Sequence, residues 1–418
     1  MSFPKKIFEY MEAATVAHAK WDYETSMNIM RNKKKVLLLI VLAALLPILI
    51  YVLADAADIL GGKKAYAPSF YTINVFLVSI AIGFCAGLIT GCIGAGGGFI
   101  ITPALMAAGV KGILAVGTDL FHIFAKAIMG SVLHKKLGNV NVKIAIAFLF
   151  GSVGGATLGG YLQKLVYEKD PILSDAAISI IYALILGFLG WYGVSDVLKK
   201  RKLARIPLEA RPPTVAEEKL AFKLQSVKMP PAVIFDEDMV PGGRKISGVI
   251  VAAGGFVVGI TASLMGVGGG FITFPLFVYV FGISTFTTVG TDIFQIIFTA
   301  GYAGISQYAI YGFVFYTLAM GLLLGSLIGI QIGALTTKVV KGVTIRLFWV
   351  TTILAGFVNR ATVLPKQFND LEIINIPKSL AQGIETAGFI IFWVIIVAFV
   401  IWVLTNFLKN IRTFREEE

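Results

Sequence analysis

Charged residues are scarce in this chain of 418 residues, since Asp, Glu, Lys and Arg together make up 14% of it. A soluble domain of ordinary composition carries about 25%. The deficit argues against a soluble globular protein, and 57% of the residues are hydrophobic. Apolar runs long enough to cross roughly 30 Å of hydrocarbon occur at 36–54, at 73–91 and near the C-terminus. The composition therefore predicts an all-α, polytopic membrane protein.

Cysteine is nearly absent, and so are the motifs of common catalytic and cofactor sites. Cys85 and Cys92 are the two cysteines, and seven residues along a helix separate them by about 10 Å, too far for a disulfide. No Cys/His cluster indicates a metal site, and the glycine-rich segments lack the lysine and hydroxyl of a phosphate-binding loop. No nucleophile–base–acid set is legible. We expect neither enzymatic activity nor a cofactor.

The formal net charge of +12 does not indicate nucleic-acid binding, because cytoplasmic loops of membrane proteins accumulate Lys and Arg. On this rule both termini are cytoplasmic, and the protein is a multi-pass protein of the cell inner (cytoplasmic) membrane. The loop charges alternate consistently with eight full spans at 36–54, 72–93, 141–164, 176–197, 246–265, 314–337, 343–358 and 385–408. Two further segments, 98–133 and 270–307, must then enter and leave on the same side.

This topology divides the chain into five parts. They are a cytoplasmic N-terminal segment (1–35), a first transmembrane half (36–198), a basic cytoplasmic linker (199–245), a second transmembrane half (246–408) and a cytoplasmic tail (409–418). The linker contains six prolines and eleven Lys/Arg against six Asp/Glu, so we expect it to be poorly ordered in parts. Contact with anionic lipid headgroups and simple solvation both stay open for it.

The two transmembrane halves contain copies of the same three sequence blocks in the same order. The matched pairs are GAGGGFIITP (94–103) with GVGGGFITFP (266–275), GTDLFH (117–122) with GTDIFQ (290–295), and GSVGGATLGG (151–160) with GSLIGIQIGA (325–334). Such order indicates an internal duplication. The loop charges start one copy outside and the other inside, which predicts inverted repeats with a site near the midplane at their interface.

Each copy interrupts an apolar helix with contiguous glycines. Unpaired backbone in hydrocarbon costs several kcal/mol per group unless it is buried in protein or lines a wet cavity. Glycine permits a turn with positive φ, after which the chain restarts as a short helix, predicted at about 99–110 in the first copy. The restart presents free N–H groups to an anion. The alternative, close helix packing without a ligand, favours spaced small residues and fits contiguous glycines poorly.

These blocks resemble those of the TauE/SafE sulfite exporter family of membrane permeases. The resemblance rests on the paired G-x-G-G-G-F-I…P blocks, the downstream G-T-D blocks and the two-half layout, and it covers about 75–345. It implies transport of sulfite, of sulfonates such as sulfoacetate, or of related small organic anions. The aspartate in both G-T-D copies is more acidic than the family pattern suggests, which weighs against simple anion contact there.

Ionisable residues follow the first break on one face of a predicted helix at 117–133. Asp119, His122 and Lys126 lie at i, i+3 and i+7. Lys126 could neutralise an anionic substrate, and the carboxylates and His122 could couple transport to protons. The corresponding residues of the second copy are Asp292, Gln295 and Thr299. Alternatives stay open: the aspartates cap helix starts, Lys126 snorkels or pairs with Asp119, and His122 is an ordinary buried histidine.

We predict a secondary transporter for a small sulfur oxyanion or organosulfonate, driven by an ion or proton gradient. The predicted substrate-binding residues are Thr90, Gly94, Gly96, Gly97, Gly98, Thr118, Lys126, Thr261, Gly266, Gly268, Gly269, Gly270, Thr291 and Gln295. The predicted coupling residues are Asp119, His122 and Asp292. The expected partners are the small anionic substrate, the lipid bilayer and a coupling ion, either proton or sodium.

Three other functions stay open: a passive anion channel, a transporter of a small carboxylate, and a non-transporting membrane scaffold or sensor. The oligomeric state and the direction of transport are not readable from the sequence.

Overall fold

A computed structural model describes residues 73–93, 97–136, 140–204, 216–227, 229–236, 243–340 and 342–409. The predicted span at 36–54, both predicted terminal segments and His18 lie outside the described residues. The first copy comprises helices α1 (Ile73–Ile93), α2 (Gly98–Ala107), α3 (Gly112–Lys136), α4 (Val142–Lys169) and α5 (Pro171–Ala204). The linker follows, with helix α6 (Ala216–Gln225) and strands β1 (Ala232–Phe235) and β2 (Arg244–Ser247).

The second copy repeats the order of the first. It comprises α7 (Gly248–Met265), α8 (Gly270–Pro275), α9 (Thr285–Tyr302), α10 (Tyr316–Val339) and α11 (Gly342–Asp370), followed by a last helix, α12 (Lys378–Lys409). Helix α8 continues as a π-helical turn over Leu276–Val280, and α9 continues as another over Ala303–Ala309. The described chain is therefore almost entirely helical.

Five helical segments in the described ranges are long and apolar enough to cross a membrane. They are Val142–Lys169, Pro171–Ser195, Gly248–Met265, Tyr316–Gly333 and Lys378–Lys409. Helix α1 carries a shorter apolar stretch, Phe76–Cys92. The predicted class of an all-α, multi-pass membrane protein is confirmed at this level.

Stripes of glycine bring the first helix of each copy against the fourth helix of the other. Gly83 and Gly87 of α1 lie against the backbone of Leu322 and Ser326 of α10. Gly151 and Gly155 of α4 lie in the same way against α7. Residue numbers rise together along each pair, so the paired helices run parallel. The absence of side chains lets these backbones approach closely, as is typical of membrane helices.

The third and fifth helices instead pack against their own counterparts. Gly301 of α9 lies against Phe124 of α3, and Gly304, in the π-helical turn that continues α9, lies against Leu120. Gly187 of α5 lies against Phe357 of α11, and the next turn of α5 meets an earlier residue of α11. Residue numbers run in opposite directions in both pairs, so matching helices are antiparallel. The two copies interleave rather than forming separate halves.

Two helix boundaries and the linker differ most from the prediction. Helix α3 begins at Gly112 rather than 117, and the segment 359–370, which falls in the loop between the predicted spans 343–358 and 385–408, is the continuation of α11. The linker, predicted to be poorly ordered in parts, contains the antiparallel hairpin β1–β2, in which Phe235 pairs with Arg244. The hairpin folds because its apolar side chains enter a core with Phe148 and Phe277.

The hairpin is also hydrogen bonded to helix starts in both copies. Asp236 accepts from the backbone N–H of Ser284 at 2.8 Å and from the hydroxyl of Thr287 at 2.6 Å, at the start of α9. The side-chain amide of Asn141, which precedes α4, donates to the carbonyl of Ile234 at 3.0 Å. The linker is thus built into one face of the bundle.

Candidate functional site at the paired helix breaks

Both helix breaks are formed by glycines in the left-handed region. Gly97 precedes α2 with φ 63°, and Gly266, Gly268 and Gly269 precede α8 with φ 79°, 63° and 90°. An L-residue with a side chain pays a steric penalty in that conformation, which explains why the sequence needs glycine here. The predicted positive φ is confirmed at these positions, whereas Gly94 and Gly96 lie outside the described residues.

The two breaks meet in the interior of the bundle. A Cβ atom placed on Gly98 would lie 3.1 Å from the Cα of Val267, in the second break. Gly98 and Gly268 both face the side chain of Ile123. All of these positions are buried. The helices that restart there, α2 and α8, have no side-chain hydrogen bond at their N-caps.

A buried polar network lies beside the first break. The hydroxyl of Thr102, on α2, donates to Asp119 Oδ2 at 3.0 Å. Asp119 Oδ1 lies 3.6 Å from His122 Nδ1, and neither atom has a hydrogen-bond partner. His122 Nε2 lies 3.1 Å from the hydroxyl of Ser326 on α10. The network therefore joins α2, α3 and the fourth helix of the other copy.

A second network occupies the matching position beside the other break. The amide nitrogen of Gln295 donates to Asp292 Oδ1 at 2.9 Å, and Gln295 Oε1 accepts from the hydroxyl of Thr299 at 2.8 Å. Thr299 in turn lies 2.9 Å from the hydroxyl of Ser152 on α4. Ser152 and Ser326 hold equivalent places in the repeated G-S blocks, so each network ends on the other copy.

The aspartates do not cap helix starts, so that alternative is wrong. Asp119 lies two turns inside α3, and Asp292 lies two turns inside α9. The threonines that precede them instead accept hydrogen bonds from the residues just before two other helices. Thr118 accepts from the backbone N–H of Phe315 at 2.9 Å, and Thr291 accepts from that of Asn141 at 2.9 Å. Phe315 and Asn141 precede α10 and α4, so each G-T-D threonine holds the fourth helix of the other copy.

The remaining predicted site residues have varied surroundings. Thr90 donates back to Ala86 in its own helix, and Thr261 donates back to Val257 and Val258. Lys126 is partly buried and interacts electrostatically with both Asp119 and His122. Gly270 begins α8 within reach of the Asp292 carboxylate. The breaks and the two networks are therefore contiguous, while Thr90 and Thr261 bond within their own helices.

Sequence reasoning missed two tyrosines that stabilise the second break. The last carbonyls of a helix have no partner within it. Tyr182 of α5 donates to the carbonyl of Met265 at 2.6 Å, and Tyr308, in the π-helical end of α9, donates to the carbonyl of Ser263. Both carbonyls belong to the last turn of α7. The hydroxyl of Ser263 itself is buried without a hydrogen-bond partner.

It also missed Arg360, which the prediction placed in a loop. Arg360 is on α11 and is 2% exposed. Its flanking sequence, ILAGFVNRATVL, is apolar enough to have marked an ionisable residue inside the membrane.

The family model of the sulfite exporter TauE/SafE matches residues 79–359, more than half of the chain. The chain belongs to this family. The match includes both breaks, both networks and the linker. This TauE/SafE protein is a multi-pass membrane transporter and not an enzyme.

Curated relatives agree with that assignment. A probable membrane transporter protein of Bacillus subtilis, YjnA, is 27% identical over 267 residues, which cover 61% of this chain and 87% of the relative. A probable membrane transporter protein of Xylella fastidiosa is 24% identical over 266 residues, covering 63% and 85%. TauE/SafE family protein 6 of Arabidopsis thaliana is 37% identical over 104 residues, covering 25% and 23%. No solved structure matches this chain.

Proposed function

We propose that this TauE/SafE protein is a secondary transporter that moves a small sulfur oxyanion or organosulfonate across the cytoplasmic membrane. The observation that carries the proposal is the meeting of the two glycine breaks, where Gly98 lies against Val267 in the buried centre of the bundle. The two helix starts have no side-chain cap and lie next to each other, so they supply N–H donors suited to an anion. The unpartnered hydroxyl of Ser263 and the ammonium of Lys126 add a donor and a positive charge.

The packing supports the inverted repeats that alternating access uses. A two-fold axis perpendicular to a pair of equivalent helices makes them antiparallel, and the pairs α3–α9 and α5–α11 are antiparallel. The same axis relates α1–α10 to α7–α4, and both of those pairs run parallel. We therefore propose eight full spans with two re-entrant segments, and cytoplasmic termini.

The hydrogen-bond donor and acceptor roles at Asp119 and His122 support proton coupling. We propose the tautomer in which the Ser326 hydroxyl donates to the carbonyl of Leu323, 3.1 Å away, and accepts from His122 Nε2–H. A neutral imidazole then turns the lone pair of Nδ1 toward Asp119 Oδ1, 3.6 Å away. Two facing acceptors repel unless one of them holds a proton. We propose that this pair carries the coupled proton. The positive charge of Lys126 nearby would influence whether the pair is protonated.

The experiment is sulfite flux into proteoliposomes that contain the full chain. Gly98→Leu should abolish flux, because its Cβ would already lie 2.9 Å from Ile123 Cδ1. The matched control is Gly154→Leu on α4, an exposed position where the added Cβ would lie at an ordinary contact distance of 3.7 Å from the ring of Phe256. Unchanged flux in Gly98→Leu would contradict a substrate path through the breaks.

The same vesicles separate the alternative functions. Substrate on the trans side accelerates exchange through a carrier, whereas a passive anion channel shows no counterflow. A thermal-shift panel of sulfite, sulfate, thiosulfate, taurine, sulfoacetate and small carboxylates identifies the ligand class. If only carboxylates raise the melting temperature, the substrate is a small carboxylate rather than a sulfur oxyanion. If none of the compounds raises it, a scaffold or sensor is favoured.

A further inference from the structure

Arg360 is a buried cation without a carboxylate partner. Its side chain is 2% exposed and is the largest fully buried side chain among the described residues. A guanidinium stays protonated in proteins, and a buried charge is costly unless it is paired. No Asp or Glu oxygen within the described ranges lies within 4 Å of it. The charge of Arg360 therefore lacks the compensation that buried ions normally have.

The hydrogen bonds of the guanidinium occupy one of its two outer edges. Nε and Nη2 donate to Asn359 Oδ1 at 2.9 and 2.6 Å. The end-on edge formed by Nη1 and Nη2 has weaker partners. Nη1 lies 3.2 Å from the sulfur of Met106, and Nη2 lies 3.4 Å from the carbonyl of Pro103. A thioether is a weak acceptor, and 3.4 Å is long for such a bond.

The carboxylates that act on Arg360 at longer range are engaged elsewhere. Asp175 accepts from the backbone N–H of Gly112 at 2.8 Å, at the start of α3. Glu385 is paired with Lys366 at 2.7 Å. Each of these carboxylates already accepts from another donor.

The contacts also place Arg360 against α2, the helix that leads away from the first break. Pro103 and Met106 belong to α2, which begins at Gly98. Thr102, the residue before Pro103, is the partner of Asp119. A positive and a negative buried group therefore touch α2 at consecutive residues. Met106 is flexible enough to swing off the guanidinium and make room for a ligand.

We propose that the Nη1/Nη2 edge of Arg360 binds two oxygens of the transported anion as it moves along α2. This inference rests on the proposed function and deepens it. The fork of the guanidinium matches a planar pair of oxygens, so the ligand class is a small oxyanion with two adjacent oxygens: a sulfite, a sulfonate or a carboxylate. Asn359 holds the guanidinium from its other edge and fixes its orientation.

The test is sulfite binding to the purified full chain, measured by titration calorimetry alongside thermal unfolding without ligand. Arg360→Met should bind sulfite about 10- to 100-fold more weakly. Its melting temperature without ligand should equal or exceed that of the wild type, because an apolar side chain of similar length replaces an unpaired charge. The control is Lys366→Met, which removes a cation of the same helix that already has a carboxylate partner and should leave sulfite binding unchanged.

Unchanged sulfite affinity in Arg360→Met would overturn the inference, as would a weakening of the same size in Lys366→Met. Arg360→Lys is the second variant, since it keeps the buried charge and loses the fork. It should also bind sulfite at least tenfold more weakly, and wild-type affinity in that variant would overturn the inference. Failure of the wild type to bind any oxyanion of the panel would instead refute the proposed function, so the two failures are distinguishable.

Discussion

The polar networks beside the two breaks share a plan but differ in completeness. In the second, each side chain from Ser152 through Thr299 and Gln295 to Asp292 is hydrogen bonded to the next. In the first, an imidazole replaces the amide, and Asp119 Oδ1 and His122 Nδ1 face each other unbonded. A buried, half-satisfied network costs stability. The difference lies in this aspartate–histidine pair: the second copy has a closed set of hydrogen bonds at the same place, and the first has the unbonded pair that we propose takes up the coupled proton.

The largest effect should come from removing each aspartate in turn. In proteoliposomes under an imposed pH gradient, Asp119→Asn should lower the response of sulfite flux to the gradient by about tenfold or more. Asp292→Asn should retain most of that response, because Gln295 still fixes the side chain at 292. If both variants respond as the wild type does, neither carboxylate couples. A larger loss in Asp292→Asn would reverse the comparison.

The next largest effect should be on stability, at the G-T-D threonines that both copies contain. Thr118→Val should lower the free energy of unfolding by about 1–2 kcal/mol, because the buried N–H of Phe315 loses its acceptor. Thr291→Val should cost less, since the Asn141 N–H is only partly buried. Unfolding in detergent measures both. Thr386→Val is the control, because that exposed hydroxyl bonds only within its own helix. An equal loss of stability in Thr386→Val would show that the G-T-D threonines contribute nothing beyond an ordinary helix hydroxyl.

A smaller effect should follow from giving the first network the chemistry of the second. In His122→Gln the amide can donate to Asp119 as Gln295 donates to Asp292. We expect the free energy of unfolding to rise by about 1 kcal/mol while the flux response to pH is lost. The reciprocal variant, Gln295→His, should be less stable than the wild type. A melting temperature of His122→Gln below that of the wild type would contradict this account.

The smallest effects should be at the serines that end the networks. Ser152→Ala and Ser326→Ala should each lower the free energy of unfolding by about 0.5 kcal/mol. Ser326→Ala should be the costlier, since it removes the partner of His122 Nε2. Ser195→Ala, whose hydroxyl bonds only to Trp191 of its own helix, supplies the baseline in the same unfolding assay. Equal values for all three would show that these contacts contribute no measurable stability.

Local chemistry was predictable from the sequence where it depends on one stretch of chain. The glycine breaks, the restarted helix after Gly97 and the shared face of Asp119 and His122 follow from residue type and spacing. The pairing of α1 with α10 is a tertiary property that no local pattern contains, and the partners Ser152 and Ser326 depend on it. Arg360 was missed because the Asn359–Arg360 pair resembles the polar end of a span, although the helix continues to Asp370.

The linker hairpin has a mechanical consequence. The hairpin is hydrogen bonded to the first turn of α9 through Asp236, and to Asn141, the residue before α4, through the carbonyl of Ile234. Thr291 of α9 also accepts directly from the N–H of Asn141. Because these hydrogen bonds join them, we expect the starts of α4 and α9 to move together, and any sliding between the copies to occur at other contacts.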